Sequence, residues 1–234
     1  MSTNFTIIVA AGTGSRIGGN LPKQFLLLDS KPILMHTIEK FANSSSKPQI
    51  ILVLSEPMIP YWKELCAEYT FEIQHHIAIG GNTRFQSVRN GLELIKKENL
   101  NLKDVKVAVH DGARPLISTV LIDELFNTCT TEKPAVIPAV QSTNSVRIGT
   151  PESSNTVDRQ SVWLVQTPQL FMGNLLVEAY MQTEESYFTD DASVVEKLSN
   201  NLYLLPGDQQ NLKITYEEDL AIAQLLFNKS KRSL

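Results

Sequence analysis

Histidine and cysteine are scarce in this chain. Its 234 residues include 2 cysteines, Cys66 and Cys129, and 4 histidines, His36, His75, His76 and His110. The cysteines make no C-x-x-C pair and fall in runs that read as helical. They are expected as reduced, partly buried thiols. No histidine pair has the H-x-x-x-H or H-E-x-x-H spacing, so no residue is assigned as a metal ligand. A basic excess is also missing: the formal net charge is −4. Bulk electrostatic binding of nucleic acid is therefore not expected, and each basic residue needs a local reason. No apolar run approaches transmembrane length, and the start, MSTNFTIIVAAG, lacks a basic region before its apolar stretch. The expectation is a cytoplasmic protein without a membrane partner. What remains is ordinary for a globular protein, 42% hydrophobic and 20% charged, and long enough for one large domain over residues 1–234.

Short Val/Ile-rich runs alternate with helical periodicities. Strands are expected at Phe5–Val9, Gln49–Leu54, Phe71–Ile79, Val105–His110 and Ala135–Val140, nearly continuous in apolar residues as strands covered on both faces are. Between them lie "PILMHTIEKF", opened by Pro32 with Ile33, Thr37, Ile38 and Phe41 on one side, then "YWKELCAEY", "TRFQSVRNGLELIKK" and "TVLIDELFNTC", the last capped by Ser118. This order predicts an α/β fold with a doubly wound, mostly parallel, Rossmann-like sheet. The pattern breaks after Val140. From about 141 to 169 the chain has no helical period and two β-prone pieces, Ser145–Ile148 and Ser161–Val165, around a polar middle at Thr150–Asn155. A protruding β-arm is expected there. Helices resume at "LLVEAYMQTE" and "DDASVVEKLSN". A strand at Leu202–Leu205 precedes a last helix, for which Thr215 and Glu218 have capping-box spacing. The tail NKSKRSL is expected to fray.

The loop after the first strand, "VAAGTGSRIGGNLPKQF", combines small residues with two cations, Arg16 and Lys23. A P-loop needs Lys-Ser/Thr where Asn20-Leu21 stands. A dinucleotide fingerprint needs a third glycine where Ile17 stands and an acidic residue about 20 positions on, and Glu56 is much too far. A third reading is an open cradle for a triphosphate, its glycines admitting phosphate close to backbone N–H groups. The competing reading is a flexible loop with solvated cations.

The stretch "AAGTGSRIGGNLPKQF" resembles the A-A-G-x-G-x-R-M-x…P-K-Q-[FY] signature of the cytidylyltransferases. More narrowly it resembles the family that acts on 2-C-methyl-D-erythritol 4-phosphate in non-mevalonate isoprenoid synthesis. The similarity continues in order through "GGNTRFQSV", "VHDGARP", "TVDRQSVWLVQTPQ", "TDDAS" and "NLKIT", across almost the whole chain. It implies transfer of a cytidylyl group from CTP to a polyol phosphate with release of pyrophosphate. The substrate's phosphate is then the nucleophile and needs no general base, so catalysis reduces to positioning and charge stabilisation. The sequence has no obvious Ser-His-Asp set or carboxylate pair.

The resemblance implies roles residue by residue. Arg16 and Lys23 would stabilise charge on the attacked phosphate and the leaving pyrophosphate, with Lys213 completing the clamp. Ala10, Ala11, Gly12 and Gly14 would line the nucleotide pocket, and Gly81, Asn82 and Ser87 would read the cytosine edge. Asn82 stands where the family more often has Asp, and its amide oxygen can accept from the cytosine amino group. Asp111 would accept a hydroxyl hydrogen bond or support Mg²⁺ through water, the metal being held mainly by the CTP phosphates. Arg114 would pair with Asp111 or serve the same crevice. Thr143, Arg159, Thr167 and Thr189 would bind the polyol phosphate, with Thr143 and Arg159 reaching into the neighbouring subunit of a homodimer. Ser142 departs from the family's V-x-D-T. His110 is expected to orient the crevice. Trp62, Tyr61 and Tyr69 read as core or helix-packing residues. The nearest rival is a ribitol 5-phosphate cytidylyltransferase, against which "HDGARP" and "TVDRQSVW" speak. A non-catalytic cofactor-binding protein is the rival of another class and leaves Lys23 and Lys213 unexplained.

Overall fold

Alternate residues of the central strands feed two separate cores. The computed structural model describes residues 3–12, 21–199 and 201–232, so Gly14 and Arg16 lie outside the described residues. Strand β1 (Thr3–Val9) pairs in parallel with β4 (Gln49–Leu54) on one side and β6 (Val105–Asp111) on the other. Between β1 and β4 come a two-residue hairpin, β2 (Leu27–Leu28) and β3 (Lys31–Pro32), and helix α1 (Ile33–Ala42). Helix α2 (Met58–Glu68) leads to the edge strand β5 (His76–Ile79), parallel to β4. Helix α3 (Arg84–Lys97) returns to β6.

Ile8, Leu52, Leu54 and Ala108 face one core with α1, α2 and α4 (Thr119–Thr128). Phe5, Ile7, Ile51, Val53, Val107 and Val109 face the other with α3. The period of two is what a sheet covered on both faces requires. On α1 the residues Ile33, Leu34, Met35, Ile38 and Phe41 are all fully buried, each contributing roughly 1.5–3 kcal/mol of apolar burial before chain entropy is set against it. Glycine at position 91 costs α3 some helical stability. A Cβ there would lie 2.9 Å from Ile7 Cγ2, so only glycine lets this helix approach β1 so closely.

Past β6 the sheet changes sense. Strand β7 (Ala135–Gln141) is separated from β6 by β11 (Gln169–Met172), antiparallel to both. Strand β10 (Trp163–Val165) continues along β7 in the same antiparallel sense. Between β10 and β11 the register against β7 slips, and Thr167 turns toward the end of β6, its Oγ1 accepting the Asp111 N–H at 3.1 Å. A separate hairpin, β8 (Val146–Gly149) with β9 (Ser154–Val157), projects from the sheet. The hairpin 146–157 lies within 141–169. Val146–Gly149 pairs with Ser154–Val157, which begins within the polar middle expected at Thr150–Asn155, and Trp163–Val165 rejoins the main sheet. Helices α5 (Gly173–Ala179) and α6 (Asp191–Glu196) cover the second core. Strand β12 (Leu202–Pro206) lies parallel to β7, and α7 (Glu217–Arg232) closes the chain.

Other expectations shift too. Only His76–Ile79 of the run 71–79 forms a strand, paired with residues 51–54 of β4. Phe71 and Ile73 pack on the first core instead. The Ser118 cap is present, its hydroxyl accepting the Leu121 N–H at 3.1 Å. At α7 the expected box is replaced: Asp219, not Glu218, accepts the N–H groups of Thr215 and Tyr216, at 2.7 and 2.8 Å. Helix α7 continues through Asn228–Arg232, part of the tail expected to fray. No helix among the described residues is long and apolar enough to cross a membrane.

Candidate active site

The C-terminal ends of β1 and β6 and the loop after β5 open onto a cleft of about 260 Å³, where a doubly wound sheet places its ligands. Its back wall is the backbone from Val9 to Gly12, continued by Asp111, Gly112 and Ala113. Gly112 N–H donates to Val9 O at 2.9 Å and Ala10 N–H to Val53 O at 2.9 Å. The buried Gln24 side chain donates to Ala10 O at 2.7 Å and Gly12 O at 3.1 Å. Ala10 therefore lends the cleft its shape rather than a hydrogen bond. Gln24 follows Lys23 directly, so the grip on this backbone also seats the lysine at the cleft, in a short helical turn at Lys23–Phe25.

Gly81, Asn82 and Ser87 form the facing wall with Thr83 and Arg84. Thr83 caps α3 by accepting the Gln86 N–H at 3.1 Å. Ser87 Oγ accepts from Gly81 N–H at 3.1 Å and donates to Thr83 O at 2.8 Å, which spends its proton. Asn82 N–H donates to Gln86 Oε1 at 3.0 Å, and Gln86 Nε2 donates to Glu184 at 3.0 Å. A Cβ at Gly81 would sit 2.3 Å from Gln86 Cβ, so glycine is what permits this tight turn. The Asn82 side chain is left exposed at the cleft.

A second cleft, also about 260 Å³, opens beside the first. Arg114, Gln166, Thr167, Gln169, Thr189 and Asp190 line it, and it shares Arg84, Asp111 and Lys213 with its neighbour. Asp190, which follows Thr189, is held by a capping box at the start of α6, accepting from Ser193 N–H at 2.9 Å.

The shared wall is a charge cluster around Asp111. Its carboxylate lies 2.9 Å from Lys213 Nζ, 3.3 Å from Arg114 Nε and 3.6 Å from Arg84 Nε. Burial alone would raise the Asp111 pKa. The cations Arg84, Lys213 and Arg114 outweigh it and hold the group well below the usual carboxylate range. Asp111 is thus an anion that only accepts. Arg84 also forks onto the fully buried Asp191, at 2.9 and 2.6 Å, and Tyr180 Oη donates to the same carboxylate at 2.6 Å. Burial disfavours the guanidinium charge, but Asp191 and then Asp111 overcome that and raise the Arg84 pKa. Burial lowers the Arg114 pKa, against the pull of Asp111.

The structure therefore brings together Ala10, Ala11, Gly12, Lys23, Gly81, Asn82, Ser87, Asp111 and Lys213 at the first cleft, and Arg114, Thr167 and Thr189 at the second. Thr143 and Arg159 are exposed at the base of the arm, Arg159 Nη1 donating to Thr143 O at 3.3 Å, and neither lines these clefts. Gln24, Arg84, Gln86 and Asp191 had no role in the sequence reading. All four lie inside the recognised stretches, but the contact between Arg84 and Asp191 spans 107 residues. Among the described residues no three His, Cys, Asp or Glu side chains gather to hold a metal ion.

Residues 5–229 match the family model for 2-C-methyl-D-erythritol 4-phosphate cytidylyltransferase. The chain belongs to that family. The protein of that name from Azobacteroides pseudotrichonymphae is 47% identical over 230 residues, covering 97% of this chain and 100% of its own length. The one from Phocaeicola vulgatus is 48% identical over 94% of this chain and 97% of its own. A crystal structure of a 4-diphosphocytidyl-2C-methyl-D-erythritol synthase superposes with a TM-score of 0.81 at 30% identity, covering 97% of this chain and 99% of its own. The chain is a nucleotidyltransferase of the isoprenoid pathway, and its reaction is cytidylyl transfer from CTP to 2-C-methyl-D-erythritol 4-phosphate. The ribitol phosphate alternative is not favoured. The family is CTP-using and generally metal-dependent.

Proposed function

We propose that the two clefts hold the two substrates and that reaction occurs across the wall they share. CTP occupies the first cleft, its base toward Gly81, Asn82 and Ser87, its triphosphate along Ala11 and Gly12 beside Lys23. The polyol phosphate occupies the second, near Arg114, Thr167, Thr189 and Lys213. The observation that carries this reading is that Arg84, Asp111 and Lys213 line both clefts, so a phosphate in either meets the same cations.

One phosphate oxygen of the polyol substrate attacks the α-phosphorus of CTP in line. The bond from that phosphorus to the oxygen bridging toward the β-phosphate breaks, and pyrophosphate leaves with the electron pair. No proton has to move, because the attacking phosphate is already anionic. Lys23, Arg16 and Lys213 stabilise the charge that spreads over the transferring group and the leaving one. Asp111 holds Lys213 in place, together with Arg114 and Arg84.

Mg²⁺ fits as a cofactor held mainly by the CTP phosphates. Asp111 is the carboxylate common to both clefts and would hold the ion through water. When bound, the ion neutralises triphosphate charge. Thr143 and Arg159 act in trans: they sit together on the arm away from their own clefts, and in a homodimer they reach the neighbouring subunit's polyol phosphate, where Arg159 can fork onto phosphate oxygens. The working compartment is the cytoplasm.

Pyrophosphate release with CTP and Mg²⁺ tests the reading. It is expected with methylerythritol phosphate and not with ribitol phosphate. Lys23→Ala and Arg16→Ala should each lose about 10²–10³ in kcat, the scale of a lost charge-stabilising donor, while remaining folded. Near-full activity in both variants would overturn the assignment. Mixing Lys23→Ala with Arg159→Ala chains should restore part of the activity; no recovery rules out the shared site.

A further inference from the structure

Four residues beneath the second cleft close a ring of hydrogen bonds. Thr167 Oγ1 and His110 Nδ1 are 3.1 Å apart. His110 Nε2 lies 3.3 Å from Arg114 O. Arg114 Nη1 donates to Asn211 O at 2.8 Å, and Asn211 Nδ2 donates to Thr167 O at 2.8 Å. Into the ring the Asp111 N–H donates to Thr167 Oγ1 at 3.1 Å.

The chemistry fixes the direction of each bond. A carbonyl only accepts, so His110 Nε2 must carry the hydrogen that meets Arg114 O. In a neutral imidazole Nδ1 is then the acceptor, and the Thr167 hydroxyl must be its donor. That leaves the Thr167 oxygen to receive the Asp111 amide. His110 is fully buried, with the Phe41 ring edge-on at 5.0 Å. Full burial beside the Arg114 guanidinium disfavours a second proton on the ring. A charged ring would turn Nδ1 into a donor facing the hydroxyl and break the sequence of bonds.

The ring ties three distant segments into one platform: the end of β6, the slip between β10 and β11, and the stretch before α7. Lys213 lies between two of its fastenings, Asn211 and the Ile214 N–H, which donates to Ala113 O at 2.9 Å. We propose that His110 and Thr167 are positioning residues for the second substrate, setting Asp111, Arg114 and Lys213, and that the Thr167 hydroxyl gives its proton to His110 and not to the substrate's phosphate. This rests on the reading of the second cleft as the polyol phosphate site.

Two measurements on the full chain test it. Nitrogen-15 NMR of the histidine side chains, with His110 assigned by its loss in His110→Asn, should show a neutral ring protonated on Nε2 from about pH 5 to pH 8. An imidazolium, or a ring protonated on Nδ1, would overturn the proposal whatever the enzyme's substrate. Kinetics then ask what the ring does. Thr167→Val should raise the KM for methylerythritol phosphate about tenfold while the KM for CTP stays within about twofold, and Thr167→Ser should restore it. His110→Gln keeps a donor for Arg114 O but removes the acceptor for Thr167, and should behave like Thr167→Val. His110→Asn retains that acceptor and should be milder. The Thr167→Val/His110→Gln double variant should be no worse than either single. Effects that multiply would mean that Thr167 binds substrate independently of His110, and an unchanged KM in Thr167→Val would mean the ring positions nothing. Absence of pyrophosphate release in the unaltered protein would refute the substrate reading, while the NMR result would still decide the ring's structure.

Discussion

Arg84 joins the two clefts and the second core, and its worth can be read from what each replacement leaves behind. Its fork holds Asp191, which is fully buried and also takes the Tyr180 hydroxyl. Arg84→Met removes the partner and leaves a buried carboxylate uncompensated, so it should cost about 3–5 kcal/mol in urea unfolding. Arg84→Lys keeps the charge but gives up the fork and should cost less, about 1–3 kcal/mol. Equal midpoints for Arg84→Met and the unaltered protein would mean that Asp191 finds another partner or takes up a proton. At this scale Lys23, Asp111, Arg114 and Lys213 were singled out because each stands in a stretch that resembles the family's. Arg84 lies in such a stretch too. Nothing local distinguishes an arginine at the start of an amphipathic helix from a solvated one, and its partner is 107 residues away.

Helix ends separate local signals from tertiary ones. The T-x-x-E spacing before α7 pointed to Glu218, yet Asp219 accepts both the Thr215 and Tyr216 N–H groups, while the Thr215 hydroxyl turns to Lys213 O at 3.3 Å. Asp219→Ala should therefore cost about 1 kcal/mol, and Glu218→Ala only a few tenths. Thermal unfolding of the two variants side by side checks this, and the reverse order would restore the box read from spacing. Strands follow the same division. Gln49–Leu54 and Val105–His110 were legible because strands buried on both faces are nearly continuous in apolar residues. The pairing of β8 with β9 was not. Ser154–Val157 is polar and exposed, and only its cross-strand bonds make it a strand. Insertion of β11 between β6 and β7 is a matter of register, to which a run of four residues gives no local clue.

Across the whole molecule, catalysis by positioning asks that charges stay fixed, and the fold holds several histidines neutral to achieve it. Burial lowers the pKa of His110 to about 3 and also depresses His36 and His75. His75 sits far from the clefts, accepting the Trp62 Nε1–H at 2.9 Å. In the unfolded chain these rings protonate near pH 6.5. Between there and about pH 3 the unfolded state binds a proton at His110 that the native state refuses. Stability therefore falls as pH falls, by about 1.4 kcal/mol per pH unit from this ring alone, with His36 and His75 adding in the same direction over narrower ranges. Asp111, held low by its cations, adds a further loss once pH drops below the unfolded carboxylate value, since only the unfolded chain then takes up the proton. Stability is fully expressed above about pH 6.5, where native and unfolded histidines alike are neutral. The expected result is a urea midpoint clearly lower at pH 5 than at pH 7, with a shallower dependence in His110→Asn. A midpoint that does not move between these values would mean that the native fold accepts the proton at His110. The ring under Asp111, Arg114 and Lys213 would then rearrange with pH, and activity would fall in the same interval by a rise in the KM for the polyol phosphate rather than by unfolding.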